Sequence, residues 1–203
     1  MACKRVLKYL KEIADYGLKF SAGGDTKITG FTKADCACDI DDRKSIRIYC
    51  IYFGNNLASW SSKKQSVVTR SSAKSEYQAL ASASAEITWL QSLFNELNIK
   101  CTSLPIIWCD NMSATELAKN PVYHSKTKHI KLDMHFIRYK VLAKELEINY
   151  IPSEEQIADI LTKPLTFIHF NYFRAKLNVQ PCSLSLRGAV KEAYNVWKHV
   201  AHV

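Results

Sequence analysis

Apolar positions recur at helical spacing in the opening CKRVLKYLKEIADYG, where Val6, Leu7, Leu10 and Ile13 line up and Gly17 supplies a stop. A Gly-containing link, SAGGDTK, leads into three β-like runs, ITGFT, IRIYCIYFG and SVVTR, with a shorter run LASWSS between the last two. Asn55-Asn56 after Gly54 marks a hairpin turn, and strands so close in sequence are expected to pair antiparallel. A long helix follows from Ser71 or Ser72, either able to cap it, to about Asn98. Its apolar stripe is Tyr77, Leu80, Ile87, Leu90, Phe94 and Leu97.

The continuous apolar run LPIIWCD, ending in Asp110, reads as a buried strand. A short helix over SATELAKN stops at Pro121, a further one covers IKLDMHFIRYKVLAKE, and LEINYIP returns to a strand. PSEEQIADILTKP carries a capping box, Ser153 with Gln156, and Pro164 closes that helix. FIHFNYFRAKL predicts a last helix before a weakly patterned tail from about Asn178. Hairpin strands followed by alternating helix and strand give an α/β fold: a mixed sheet with helices on both faces.

At 203 residues the chain fits one globular domain with a helical extension at each end. Its 28 Lys+Arg against 19 Asp+Glu leave a net charge of +9, which favours a polyanionic partner over a small acidic substrate. A basic surface that is merely solvated is the competing reading. The seven cysteines are odd in number and lack framework spacing, and no signal peptide precedes them. Reduced thiols in a cytosolic or nuclear setting are therefore expected. No apolar run approaches the ~20 residues needed to span a bilayer.

Carboxylates at the ends of elements change the picture more. Asp110 follows a hydrophobic strand directly, at the end where open α/β sheets build ligand sites, although an acid there also caps helices. Glu76 borders the buried face of the long helix, or simply favours its dipole. Asp159 sits inside the apolar IADIL, with Lys163 four residues on as an ordinary salt-bridge partner. Singly each acid suits a structural role. Together they suggest a carboxylate cluster for two divalent cations, the oxygen chemistry that clamps a phosphodiester, with the basic surface holding the backbone.

Cys36 and Cys38 with Cys50 could be imagined as zinc ligands, but the pair spacing is wrong and no second pair exists. In HSKTKHI, His124, Lys126, Lys128 and His129 suit contact with phosphate as well as they suit a solvated loop. Trp60 with Lys63 and Lys64 is a second candidate backbone contact, or an aromatic packed on the core.

These residues also resemble a known family. DIDDRKS (39–45), LASWSSKKQSVV (57–68), SSAKSEYQAL (71–80), WCDNMSATELAKNPVYHSKTKHI (108–130), HFIRYKV (135–141) and IPSEEQIADILTKPL (151–165) follow the order and spacing of the ribonuclease H domain of copia-type LTR retrotransposon Pol polyproteins, especially plant ones. The start resembles the segment joining reverse transcriptase to ribonuclease H in that family, and LSLRGAVK its carboxyl tail. The resemblance divides the chain into a helical segment 1–28, a ribonuclease H-like domain 29–179 with a five-stranded mixed sheet, and a tail 180–203.

What it implies is hydrolysis of the RNA strand of RNA–DNA hybrids, with two Mg²⁺ (or Mn²⁺) ions held by four carboxylates and a metal-bound water attacking. The partners implied are the hybrid itself and the reverse transcriptase portion of the polyprotein, with no membrane. The setting implied is cytoplasmic, in a virus-like particle, or nuclear. Three acids carry over directly: Glu76 in SEY, Asp110 in WCDN and Asp159 in ADIL.

The family's first acid lies in a motif that here reads Thr32-Lys33-Ala34-Asp35-Cys36-Ala37-Cys38, and its position is taken by Lys33. A protonated ammonium cannot ligate a cation and repels it. Asp35 shares the strand face of Lys33 but lies roughly 6–7 Å further along, so it could replace the lost ligand only if the strand bulged. Ile46-Arg47-Ile48, Lys74 and KLDM (131–134) also depart from the family's usual residues. Such scattered losses, and a start at Met1 without the polymerase, are expected of a decaying, truncated copy with activity weakened or lost. A folded, non-cutting nucleic-acid binder is the alternative. An integrase-type transferase is a third, which the order SEY, CDN, ADIL disfavours.

Overall fold

The computed structural model describes residues 2–35, 44–65, 68, 71–119, 128–162 and 165–181. In chain order the elements are α1 (Ala2–Ile13), β1 (Tyr16–Leu18), β2 (Ile28–Asp35), β3 (Ile46–Phe53), β4 (Asn56–Lys64), α2 (Ser72–Glu96), β5 (Ile106–Cys109), α3 (Met112–Lys119), α4 (Lys128–Leu142), β6 (Glu147–Tyr150), α5 (Phe167–Lys176) and β7 (Val179–Pro181). Two short 3-10 segments, Ser153–Glu155 and Ile157–Leu161, lie between β6 and α5.

The chain divides into two compact units. The smaller joins residues 1–18 to 179–203, and in it β1 and β7 form an antiparallel pair. Gly17, expected to stop the first helix, lies in β1; α1 has already ended at Ile13. The larger unit, residues 19–178, holds a five-stranded sheet of order β4-β3-β2-β5-β6. β2, β3 and β4 form an antiparallel meander, while β5 and β6 run parallel to β2. The sheet is therefore mixed, as the run of strands predicts, and the fold is α/β with the five strands that the resemblance implies.

The hairpin between β3 and β4 turns on Gly54, whose φ of +56° and close approach to Asp25 leave no room for a side chain: a Cβ would lie 2.6 Å from the Asp25 carbonyl oxygen. The fourth strand is the LASWSS run extended to Lys64. The SVVTR run falls largely outside the described residues, and Val68, which is described, is not in a strand.

Strand alternation sorts the sheet into two faces. Ile28 of β2, Ile51 of β3, Ile107 and Cys109 of β5 and Ile148 of β6 pack with Tyr77, Leu80, Ile87 and Leu90 of α2 and with Met134 and Ile137 of α4. On the other face, Phe31 meets Tyr52 edge-on, and the Tyr52 hydroxyl donates to the Lys176 carbonyl at the end of α5. The segment Ile157–Leu161 packs against β2 and β3, and α5 packs against that segment. Lys33 points to this second face, because it lies two residues after Phe31 on the strand.

The segment after β6 departs from expectation. A capping box with Ser153 and Gln156 predicted one helix, yet the chain makes two 3-10 turns broken at Gln156. Gln156 is fully buried; its amide N–H₂ donates to the Thr32 carbonyl (3.0 Å) and its Oε1 accepts from the Ala158 N–H (3.3 Å). One partner is thus distant, on β2, and the other two residues ahead, and the reciprocal bonds of a capping box do not form.

Candidate functional site

β2, β5 and β6 run parallel, so their carboxyl ends meet at one edge of the larger unit, the edge where such sheets place ligands. Asp110 follows β5 directly. The neighbouring Asn111 takes over the capping of α3, its Oδ1 accepting from the Ala114 N–H at 2.9 Å. Helix capping therefore does not account for Asp110, and its carboxylate is left to face the sheet end.

Two further acids arrive there from different elements. Glu76, in the second turn of α2 and only 5% exposed, turns its Oε2 to accept the Ala34 N–H of β2 at 2.8 Å. Asp159, 6% exposed, comes from the turn Ile157–Leu161. Lys163, its expected i+4 partner, lies outside the described residues.

At the centre is Lys33. Its Nζ donates to Asp110 Oδ2 and stands 3.5 Å from Asp159 Oδ1. Ser153 Oγ donates to the same Asp110 oxygen at 3.1 Å. The other oxygen of Asp110, Oδ1, is buried with no hydrogen-bond partner among the described residues. Lys33 is 8% exposed, a degree of burial that a lysine tolerates only when paired. Burial works against its charge, but the hydrogen bond and charge of Asp110, then the charges of Asp159 and Glu76, outweigh it and raise its pKa. It stays an ammonium.

Glu76 shifts the other way from an exposed acid. Burial, then the charge of Asp110, push its pKa up to about 8, against the smaller pull of the Ala34 N–H and of Lys33. Near neutrality it holds a proton. Burial likewise pushes the Cys109 thiol up to about 12, so it remains a neutral sulfur beside the acids.

These side chains do not fit a pair of divalent cations. The ligand atoms of Glu76, Cys109 and Asp110 lie within 4.8 Å of one another, but one of the three is a neutral thiol, a poor ligand for a hard cation. One oxygen of Asp110 already holds an ammonium, which also stands 3.5 Å from Asp159 Oδ1. A positive charge occupies the place a cation would take.

Asp35 is not in this group. β2 pairs with β3 from Ile28↔Phe53 to Asp35↔Ile46 without a register shift, so no bulge draws Asp35 back to the level of Lys33. The structure thus gathers Glu76, Asp110 and Asp159 around Lys33 and leaves Asp35 at the strand end.

The basic candidates lie elsewhere. Lys63 and Lys64 are exposed at the end of the edge strand β4. Across the sheet Lys33 pairs with Ile48 and Ile48 with Ser62, so Trp60, Ser62 and Lys64 share the sheet face of Lys33, two strands or about 10 Å away. Trp60 is 55% exposed and does not plug the core. His124 and Lys126 lie outside the described residues; for Lys128 and His129, in the first turn of α4, only the backbone is described. Sequence reasoning did not find Ser153 as a partner of Asp110, nor Gln156 as the tie to Thr32. The one signal for Gln156 was the polar residue standing just before an apolar run.

No protein-family model matches the chain. It is 42% identical over 190 residues to the retrovirus-related Pol polyprotein from transposon RE2 of Arabidopsis thaliana, covering 94% of this chain. It is 43% identical over 178 residues to that from transposon RE1 of the same plant, covering 88% of this chain. The chain spans only 13% and 12% of those two polyproteins. Among solved structures, LC11-RNase H1, isolated from compost by a metagenomic approach, superposes with a TM-score of 0.51 at 19% identity, over 67% of this chain and 92% of that one.

Proposed function

Because this chain belongs to the ribonuclease H domains of plant copia-type retrotransposon Pol polyproteins, we propose that it grips RNA–DNA hybrids within such a polyprotein and hydrolyses their RNA strand weakly or not at all. The observation that carries this reading is the Lys33 ammonium, bonded to Asp110 and 3.5 Å from Asp159. A metal-assisted phosphodiester cleavage needs those oxygens free for cations. Here they are taken.

The gripping half rests on charge and shape. The net charge of +9 and the exposed row Trp60, Ser62, Lys64, with Lys63 beside it, suit a phosphate backbone flanked by an aromatic face. The acidic corner sits on the same face of the sheet, so a duplex lying along the row would pass near it. The domain 29–179 handles the hybrid in this reading, and the reverse transcriptase portion is its neighbour in the polyprotein. Its working place is a virus-like particle in the cytoplasm, or the nucleus.

The test is a labelled RNA–DNA hybrid titrated with the natural chain over a range of salt, with product analysis in Mg²⁺ and in Mn²⁺. We expect binding that weakens steeply with salt and little or no cut RNA. Efficient cutting would overturn the inactive half of the reading, and failure to bind at low salt would overturn the gripping half.

A further inference from the structure

The acidic corner poses a charge problem of its own. Glu76, Asp110 and Asp159 converge from α2, the end of β5 and the turn Ile157–Leu161, all in a nearly dry setting. With Glu76 protonated, the charged pair is Asp110 and Asp159, and buried carboxylates with little water to screen them need a cation between them. We infer that Lys33 is that cation: a counter-ion tethered to β2, which takes the structural part of a divalent ion and lets the domain assemble without any metal. The inference rests on the reading of the corner as one that does not cut.

Four features carry it. Lys33 Nζ bridges the two acids that come from separate elements, bonding Asp110 Oδ2 and facing Asp159 Oδ1. An ammonium suits this role because it is compact and has three N–H directions to share. The bridge is shielded, the Lys33 and Asp110 side chains being 10% and 4% exposed, so salt in solution hardly weakens it. The tether is stiff: β2 is paired through Thr32 and Lys33 to β3, and through Thr32 to β5, with no register shift. Finally, protein groups add to the ammonium's hold on the acids, Ser153 donating to the same Asp110 oxygen and the Ala34 N–H to Glu76. The second oxygen of Asp110, Oδ1, is buried without a hydrogen-bond partner among the described residues, so it is an oxygen a cation could use once the ammonium is gone.

A built-in cation makes a prediction that a merely inactive site does not. The natural chain should ignore divalent ions, and removing the ammonium should make its folding depend on them. The experiment uses the full chain and reads thermal midpoints in EDTA, Mg²⁺ and Mn²⁺ at matched ionic strength, together with Mn²⁺ binding by electron paramagnetic resonance. For the natural chain we expect one midpoint in all three. For Lys33→Met we expect a lower midpoint in EDTA, a saturable recovery with Mn²⁺, and Mn²⁺ bound at least roughly tenfold more tightly than by the natural chain.

If Lys33→Met does not fold in EDTA, the double variant Lys33→Met with Asp159→Asn carries one acid fewer, and it should fold without metal. Saturable Mn²⁺ stabilisation of the natural chain would overturn the inference. So would a Lys33→Met chain that melts like the natural one in EDTA and gains nothing from Mn²⁺. Failure of the natural chain to bind hybrid would sink the proposed function and leave this inference standing, because no readout here involves nucleic acid.

Discussion

The acidic corner and the edge strand β4 both carry charge, and they spend it in opposite ways. At the corner, Lys33, Asp110 and Asp159 are buried and answer one another inside the fold. Along β4, Lys63 and Lys64 are exposed, as is the nearby Trp60. Charge buried within the protein stabilises its shape and is closed to partners, whereas charge on an exposed edge costs the fold little and can be reached by them. In the proposed reading, a lysine at the position the family gives to an acid makes the corner charge of the first kind.

The sharpest way to break this contrast is to remove the ammonium. Lys33→Met should destabilise the chain by about 3–5 kcal/mol in urea unfolding without divalent ions, since it leaves buried acids without their partner. A loss below about 1 kcal/mol would place the corner with the solvated charges of the edge.

Glu76 gives a pH-dependent version. Its folded-state pKa of about 8 is raised above the ordinary 4.5, so the folded chain holds a proton that the unfolded chain releases. That contribution is complete below about pH 4.5 and is lost as pH rises through about 8. Natural stability should therefore fall by about 1–3 kcal/mol across this window relative to Glu76→Gln, which cannot ionise. Parallel profiles for the two chains in pH-resolved unfolding would contradict the assigned environment of Glu76.

Gln156→Ala should cost about 1–3 kcal/mol by leaving the Thr32 carbonyl and the Ala158 N–H without their partners. It should also loosen the turn that brings Asp159 to Lys33, which amide hydrogen exchange at Ala158 and Asp159 would report. The smallest effect on stability belongs to the edge. Lys63→Ala and Lys64→Ala should each change it by under about 0.5 kcal/mol. In hybrid binding, though, each should reduce the dependence of affinity on salt by about one unit of logarithmic slope. An unchanged slope would remove these lysines from the interface.

How much of this was legible in the sequence depends on whether the interactions are local. The stripe from Tyr77 to Phe94 marked α2, and the apolar run ending at Asp110 marked β5, because periodicity is carried by neighbours along the chain. The turn at 153–161 was misread as a helix because Ser153 and Gln156 have the spacing of a cap. Their real partners, Asp110 and Thr32, are distant in sequence and could not be read from it. The convergence of Glu76, Asp110 and Asp159 was suggested by their positions at the ends of elements. That Lys33 would reach into their midst, rather than swing to solvent, depended on a face of β2 that only the folded sheet fixes. The carboxylate of Asp110 shows the limit well: its position suggests either capping or a ligand site, and Asn111, which caps α3 itself, removes the capping reading alone.

The central claim, that the ammonium of Lys33 is what keeps this ribonuclease H-type corner from cutting, is tested most directly by one comparison. RNA–DNA hybrid would be incubated with Mg²⁺ and either the natural chain, Lys33→Asp or Asp35→Asn, and the rate of RNA cleavage measured. The account predicts little or no cutting by the natural chain, a clear gain with Lys33→Asp, and no change with Asp35→Asn. Strong cutting by the natural chain that Asp35→Asn abolishes would contradict it, and would make Asp35 the working acid in place of the one lost at Lys33.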